Sequence, residues 1–402
     1  MRLRSHLSFL PLDDEVVVFS EEAQSLVGLN SSAAYIAQQV SAGTPPSTIA
    51  LELARNGTTS AGEAANWIAA TLDALRSHGM AAEGPLPEPG VSEENRSLQE
   101  QQARRVAMMP PYSVVAPVVE RRYRLLNCVA LMHFATAGQA EAVDAVLGHL
   151  AVGAGAQPTI VIDVHAEVLG DRGSVRSYIY CDGRPIEFTT GLFRLAPTIK
   201  SLLWLQAVDR YEFLFYIHAG VVGMGDKCIL LPAAAGSGKS SLTAALVHRG
   251  YRYLSDEVAL IEPTTFRVAP VPLAVCVKST AWHLMRRYFP RIGKLMSHQR
   301  MDGKHIRYVP PPPGAVQQTA AQVSHIVFPR YDANATTELR PIARSAALGR
   351  MMGECWACGH LDGANVQELI RWIGQIDCYE LPFASLEDAA DLLQQIAPLA
   401  SF

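Results

Sequence analysis

"LLPAAAGSGKSSLTAALVHRGYRYLSDE", residues 230–257, decides how this chain is read. An apolar run feeds a turn containing Gly236 and Gly238, the turn ends in Lys239 and Ser240, and an amphipathic helix follows. Glycines there let the backbone curl so that successive amide N–H groups point inward, and the helix adds its positive dipole end to the same cavity. Phosphate oxygens are the natural guests. Ala235, Gly236, Ser237, Gly238, Lys239, Ser240 and Ser241 are the expected nucleotide contacts, with Lys239 reaching the outer phosphates and the Ser240 hydroxyl liganding Mg2+. The full pattern also has a glycine ahead of the loop, where this chain has Ala233. That departure matters if residue 233 takes a positive φ.

Asp256 follows Lys239 by 17 residues, beyond one helix and at the end of the next strand, "YRYLS". An acid so near in sequence is expected on the strand neighbouring the loop strand, facing the terminal phosphate. There Asp256 accepts a proton from an incoming hydroxyl and Glu257 helps hold the metal. The plain alternative is that "SDE" caps a turn.

Hydrophobic residues make up 49% of the 402 and charged residues 18%, which is ample for packed cores. A formal charge of -4 speaks against a nucleic-acid surface, which needs clustered Lys and Arg. Apolar runs such as "LLNCVALMHFA" fall short of the roughly 20 residues that span a bilayer. The N-terminal stretch turns acidic before a signal-peptide core develops, so no membrane and a cytoplasmic location are expected. Seven cysteines do not make a secreted disulfide framework. The cluster "CWACGH" offers Cys355, Cys358 and His360 as zinc ligands or a redox pair, but no second Cys or His pair follows at finger spacing.

Residues 1–80 read as a small α+β unit: a hairpin in "EVVVFSEEAQSLVGLN", then helices at "SSAAYIAQQV", "PPSTIALELARNG" and "TSAGEAANWIAATLDALRSHG". Residues 81–112 are rich in Pro, Gly, Glu and Gln and read as a flexible linker. Residues 113–402 read as one α/β unit with a β-rich lead-in. "RLLNCVALMHFA" and "TIVIDVHAEV" are strands flanking a helix, "SYIYCDGRPIEF" turns at Asp182-Gly183, and "FLFYIHAGVVGMGDKCILLP" is a hairpin leading into the loop. Helices are expected at "SAALGRMMGECW", "NVQELIRWIGQI" and "LEDAADLLQQI".

The stretch from His218 to Glu257 resembles the catalytic core of the HPr serine kinase/phosphorylase family, above all its HPr-kinase-related branch. In that family a histidine lies 21 residues before the loop lysine and an aspartate 17 after it, the places of His218 and Asp256. The resemblance implies a P-loop kinase core of the HPr-kinase type, using ATP and Mg2+. It implies Asp256 as the general base or acid for transfer to a serine hydroxyl, with His218 beside it or the phosphates; the assembly of such cores into rings leaves a homo-oligomer open. Glu257 stands where the family has a second aspartate, and "PVPLAVCVKST" replaces its glycine-rich segment, which argues against HPr as substrate and against phosphorolysis. Lys278, Lys304 and Arg330 are candidates for gripping substrate or neutralising phosphate.

"DDEVVVFSEEAQSLVGLNSSAAYI" resembles PqqD-like domains, which implies a small winged-helix fold that binds a precursor's leader peptide as an added strand. Together these features describe an ATP- and Mg2+-dependent kinase for a Ser or Thr hydroxyl of a ribosomally made peptide held through residues 1–80. The competing readings are a non-catalytic, nucleotide-responsive peptide escort and a kinase of a small hydroxylated metabolite.

Overall fold

The computed structural model describes residues 3–4, 6–55, 59–82, 93–169, 174–300 and 303–399. The chain opens with an antiparallel meander, β1 (Leu7–Leu12), β2 (Glu15–Ser20) and β3 (Ser25–Leu29), followed by helices α1 (Ser31–Ser41), α2 (Pro46–Arg55) and α3 (Ala61–Ser77). Asn30 caps α1 by accepting from the Ala33 amide, and Ser60 and Glu63 form a capping box on α3. Strand β2 reads EVVVFS without polar alternation because both its faces are covered. Val18 packs with Ile36, Ile49, Ile68 and Leu75 of the helices, while Val17 and Phe19 face Val366, Leu369 and Ile373 from the far end of the chain. Leu3 forms an antiparallel bridge with Ala81, joining the two ends of this stretch.

The expected linker holds a helix. Within residues 81–112, α4 (Glu93–Ala107) forms, and residues 83–92 lie outside the described residues. Its sequence lacks an apolar stripe and so reads as linker, yet Glu, Gln, Arg and Ala are strong helix formers. Its last turn is anchored by Arg105, whose Nε lies 2.8 Å from Glu187 Oε1 and whose guanidinium sits 4.3 Å from the centre of the Phe188 ring.

Next comes a five-stranded sheet in the order β4-β5-β6-β7-β8: β4 (Val119–Leu125), β5 (Cys128–Phe134), β6 (Ile160–Leu169), β7 (Ser174–Cys181) and β8 (Arg184–Thr190). The run expected as one strand, RLLNCVALMHFA, breaks at Leu126, whose φ is 52°, into the end of β4 and all of β5. Helix α5 (Ala137–Leu147) makes the crossover between parallel β5 and β6, and Asp182-Gly183 turns β7 into β8. Both turn residues have positive φ, the primed hairpin conformation. Helix α6 (Leu192–Val208) packs with α5 on this sheet through Leu195, Ile199, Leu202 and Leu203.

The loop sequence belongs to the larger sheet. Its strands are β9 (Phe215–Ile217), β10 (Ala219–Met224), β11 (Lys227–Pro232), β12 (Arg252–Ser255), β13 (Ala259–Ile261), β14 (Arg267–Ala269), β18 (Ala321–Tyr331), β19 (Arg340–Pro341), β20 (Cys355–Cys358) and β21 (Asp377–Phe383), with helix α7 (Lys239–His248) after β11. The intervening chain folds β15 (Val275–Lys278), α8 (Trp282–Met285), β16 (His298–Gln299) and β17 (His305–Val309) as a separate small sheet. Helices α9 (Arg344–Gly353), α10 (Gly363–Ile373) and α11 (Leu386–Ile396) complete the chain. Cys355 and Trp356, expected at the end of a helix, instead begin β20, which pairs with β9.

Strands β11, β18 and β21 run parallel, and β10 lies antiparallel between β11 and β12. The strand before Asp256 is therefore not the neighbour of the loop strand, as expected, but the next one over. The hairpin of β10 and β11 takes the adjacent place because its turn is only two residues long. Since β10 is antiparallel to both, the C-terminal ends of β11 and β12 and the start of β10 share one edge. His218, residues 233–240 and Asp256 all sit there.

The N-terminal unit docks on this body. Gln24 Nε2 donates to the Leu361 carbonyl and Gln24 Oε1 accepts from the Leu361 amide, both at 2.8 Å. On α9, Arg344 Nη1 is 2.9 Å from Asp13 Oδ1, and the Ser345 hydroxyl donates to Glu15.

Candidate active site

The loop takes its shape from two glycines. Gly236 has φ 99° and Gly238 φ 87°, both in the left-handed region. Gly238 has a second constraint: a Cβ there would lie 2.6 Å from Phe383 Cζ. Ala233 is not among the residues with positive φ, so the glycine missing from the pattern is not needed. The loop is tied to β18, where the Tyr331 amide donates to the Ser237 carbonyl at 2.9 Å. Gly220 on β10 leaves room for the lysine stem, since a Cβ there would come 2.5 Å from Thr243 Oγ1 and 3.2 Å from Lys239 Cγ.

Lys239 is 6% exposed, and its ammonium donates to the Ala233 carbonyl at 3.1 Å. Burial lowers its pKa to about 8, although Asp256, Glu354 and Glu257 pull the other way. Asp256 is 3% exposed, and both carboxylate oxygens are buried without a partner at full hydrogen-bond geometry, the Ser240 hydroxyl being a nearby donor. Burial raises its pKa to about 6 against the pull of Lys239. A buried carboxylate so sparsely bonded is costly, and such a group calls for a further partner, a water, an ion or a ligand. Ser237 Oγ and Thr243 Oγ1 are buried and unpartnered as well. These orphaned oxygens, the buried lysine and the glycine-shaped turn fit a polyphosphate with its divalent cation. Ser240 and Asp256 supply hard oxygen donors of the kind Mg2+ takes.

Glu257 is differently placed. Its Oε2 lies 2.7 Å from Nζ of Lys200, a buried lysine on α6. Burial would raise the Glu257 carboxyl, but the charges of Lys200 and then Arg300 hold it below the ordinary range.

His218 stands between β9 and β10, and its amide donates to the Glu354 carbonyl at 2.8 Å. Its ring stacks on Trp356, with centroids 4.7 Å apart and planes 18° apart, and its Nδ1 is 3.5 Å from Glu354 Oε2. Burial, then the Lys239 charge, lowers its pKa to about 4, so the ring is neutral at neutral pH. Of the three candidate substrate cations, Lys278 at the end of β15 is close enough to act electrostatically on both Lys239 and His218. Arg330 flanks the loop beside Tyr331 with its side chain 68% exposed, 3.8 Å from Asp332. Lys304 is exposed, in a turn where its carbonyl accepts from the Arg300 amide.

Lys200, Arg300, Glu354 and Trp356 were not legible as site residues. One signal was available for Lys200: a single lysine inside the apolar run LAPTIKSLLWLQAV. Cys355 and Cys358 flank Trp356 on β20, and among the described residues no group of three His, Cys, Asp or Glu side chains is placed to hold a metal. No described helix is long and apolar enough to cross a membrane.

No protein-family model matches the chain, and no curated protein matches it in sequence. Among solved structures it is similar to the Hpr(Ser) kinase/phosphatase from Coxiella burnetii, at 15% identity and a TM-score of 0.21, over 45% of this chain and 93% of that one. A likeness of that size leaves the chemistry to be read from the residues themselves.

Proposed function

We propose that this protein is an ATP-dependent kinase that phosphorylates a Ser or Thr hydroxyl of a ribosomally synthesised precursor peptide. One observation carries the reading: a fully buried carboxylate, Asp256, short of full-geometry partners and beside the Ser240 hydroxyl, on the same sheet edge as a glycine-shaped loop and a buried lysine. A structural capping aspartate would be bonded to backbone amides, and a nucleotide-responsive escort would need the loop but not Asp256.

In this reading the amides of residues 235–241 and the Lys239 ammonium hold the β- and γ-phosphates. Ser240 and Asp256 hold Mg2+, which when bound neutralises charge on the phosphoryl group being transferred. Asp256, with a pKa near 6, is ionised at neutral pH and takes the hydroxyl proton. His218, neutral and stacked on Trp356, lines the acceptor side, next to the start of the loop. Lys278 adds positive charge where the transferred group carries negative charge.

The leader peptide is assigned to residues 1–80, read as a PqqD-like winged-helix domain. In support, β3 pairs with β2 alone among the described strands, and helix α1 follows directly, so an added strand has an edge and a helix to meet.

The test is to incubate the protein with Mg2+, ATP and the peptide product of the short open reading frame beside its gene, then weigh the peptide. Wild type adds one phosphate and Asp256→Asn adds none; the isolated leader, supplied separately, slows the reaction. An unmodified peptide with wild type would sink the reading.

A further inference from the structure

Asp256 and Glu257 are adjacent carboxylates beside the Ser240 hydroxyl, a set of hard oxygens that would by itself attract a divalent cation. The surroundings oppose this. Lys200, 6% exposed, reaches out of α6, a helix of the lead-in module, and closes on Glu257 at 2.7 Å. Its ammonium also lies 5.1 Å from the centre of the Tyr308 ring. A lysine is seldom buried this deeply without a specific partner, and here the partner is one of the two carboxylates a metal would use. Arg300 acts on the same carboxylate, while Lys278 acts on Lys239. Four cations, Lys200, Lys239, Lys278 and Arg300, therefore surround three carboxylates, Asp256, Glu257 and Glu354. A bare divalent cation arriving here meets a positive neighbourhood. A triphosphate, with about four negative charges, reverses the sign and carries its cation in.

We infer that Lys200 is a built-in counter-ion: it occupies Glu257 and keeps a divalent cation off the Asp256–Glu257 pair until a nucleotide delivers one. This rests on the kinase reading above. It makes Lys200 a positioning residue, acting through Glu257, and it moves Glu257 from metal ligand to strut. The metal shell from the protein is then Ser240 and Asp256.

The experiment is calorimetric titration of the full-length protein with Mn2+, first without nucleotide and then with ADP. Wild type takes up little Mn2+ alone and binds Mn2+ together with ADP. Lys200→Met binds one Mn2+ without nucleotide at least about tenfold more tightly, because a unit charge a few ångströms from the ion is gone. Lys200→Arg restores exclusion, and Glu257→Gln added to Lys200→Met abolishes the new site. Where the methionine variant does not fold, Lys200→Gln keeps a hydrogen bond to Glu257 and serves in its place. A merely structural lysine would lower the melting temperature without creating a cation site. The inference is overturned if removing Lys200 leaves Mn2+ affinity unchanged, or if wild type binds Mn2+ tightly on its own. Absence of ADP binding by wild type would instead remove the nucleotide reading beneath it.

Discussion

Lys239 and Asp256 act on one another electrostatically across the end of a strand that carries neither of them. β10 separates β11 from β12, and because it runs against both, the loop after one and the acid after the other emerge on the same side. Gly220 on that middle strand gives the lysine its passage. The convergence of Lys239 and Asp256 is thus a product of sheet order rather than of sequence proximity.

Replacing the acid separates binding from chemistry. Asp256→Asn should lower phosphoryl transfer by about 10²–10⁴-fold, the usual worth of a positioned base, while leaving the affinity for metal-free ADP within a few-fold. Radiolabel transfer and calorimetry check the two halves. Equal loss in both would mean that Asp256 serves the nucleotide alone.

The same variant should be more stable at neutral pH. In the folded chain Asp256 titrates near 6 rather than 3.8, so the native state holds its proton longer and stability falls as pH rises between those values. Above about pH 6 the deficit is complete, on the order of 3 kcal/mol, and Asn removes it. Melting temperatures should show Asp256→Asn ahead at pH 7.5 with an advantage that shrinks toward pH 4.5.

Activity should follow a bell. Asp256 must lose its proton, near pH 6, and Lys239 must keep its own, near pH 8, so kcat/KM of the free enzyme falls on both sides of that window. A plateau extending below pH 5 would rule out Asp256 as the base.

The loop glycines are not equivalent. Gly236→Ala has open space and costs about 1 kcal/mol for its positive φ. Gly238→Ala adds a collision with Phe383 and should cost more, whereas Ala233→Gly should leave nucleotide affinity nearly unchanged. Thermal melts and ADP titrations of the three variants order them.

Local signals exposed the loop, its helix, the hairpin into it, the Asp182-Gly183 turn and the three N-terminal helices, because each is written in contiguous residues. What escaped depends on contacts far apart in the chain. Insertion of β10 between β11 and β12 is a pairing choice, and α4 is a polar helix whose anchor, Arg105, finds Glu187 some eighty residues on. Lys200 and Glu257 are likewise joined only by folding. Trp356 was read among potential metal ligands, but its neighbour is the ring of His218.

The contact between the first thirty residues and α9–α10 has a mechanical result. Gln24 grips Leu361, Phe19 shares a core with Ile373, and α9 runs from Ser345, whose hydroxyl donates to Glu15, to the chain that supports His218. Cutting the backbone once between residues 82 and 93 should therefore yield two fragments that travel together on a sizing column. A pull on the amino-terminal piece would then pass along α9 to the Glu354 carbonyl that holds the His218 amide.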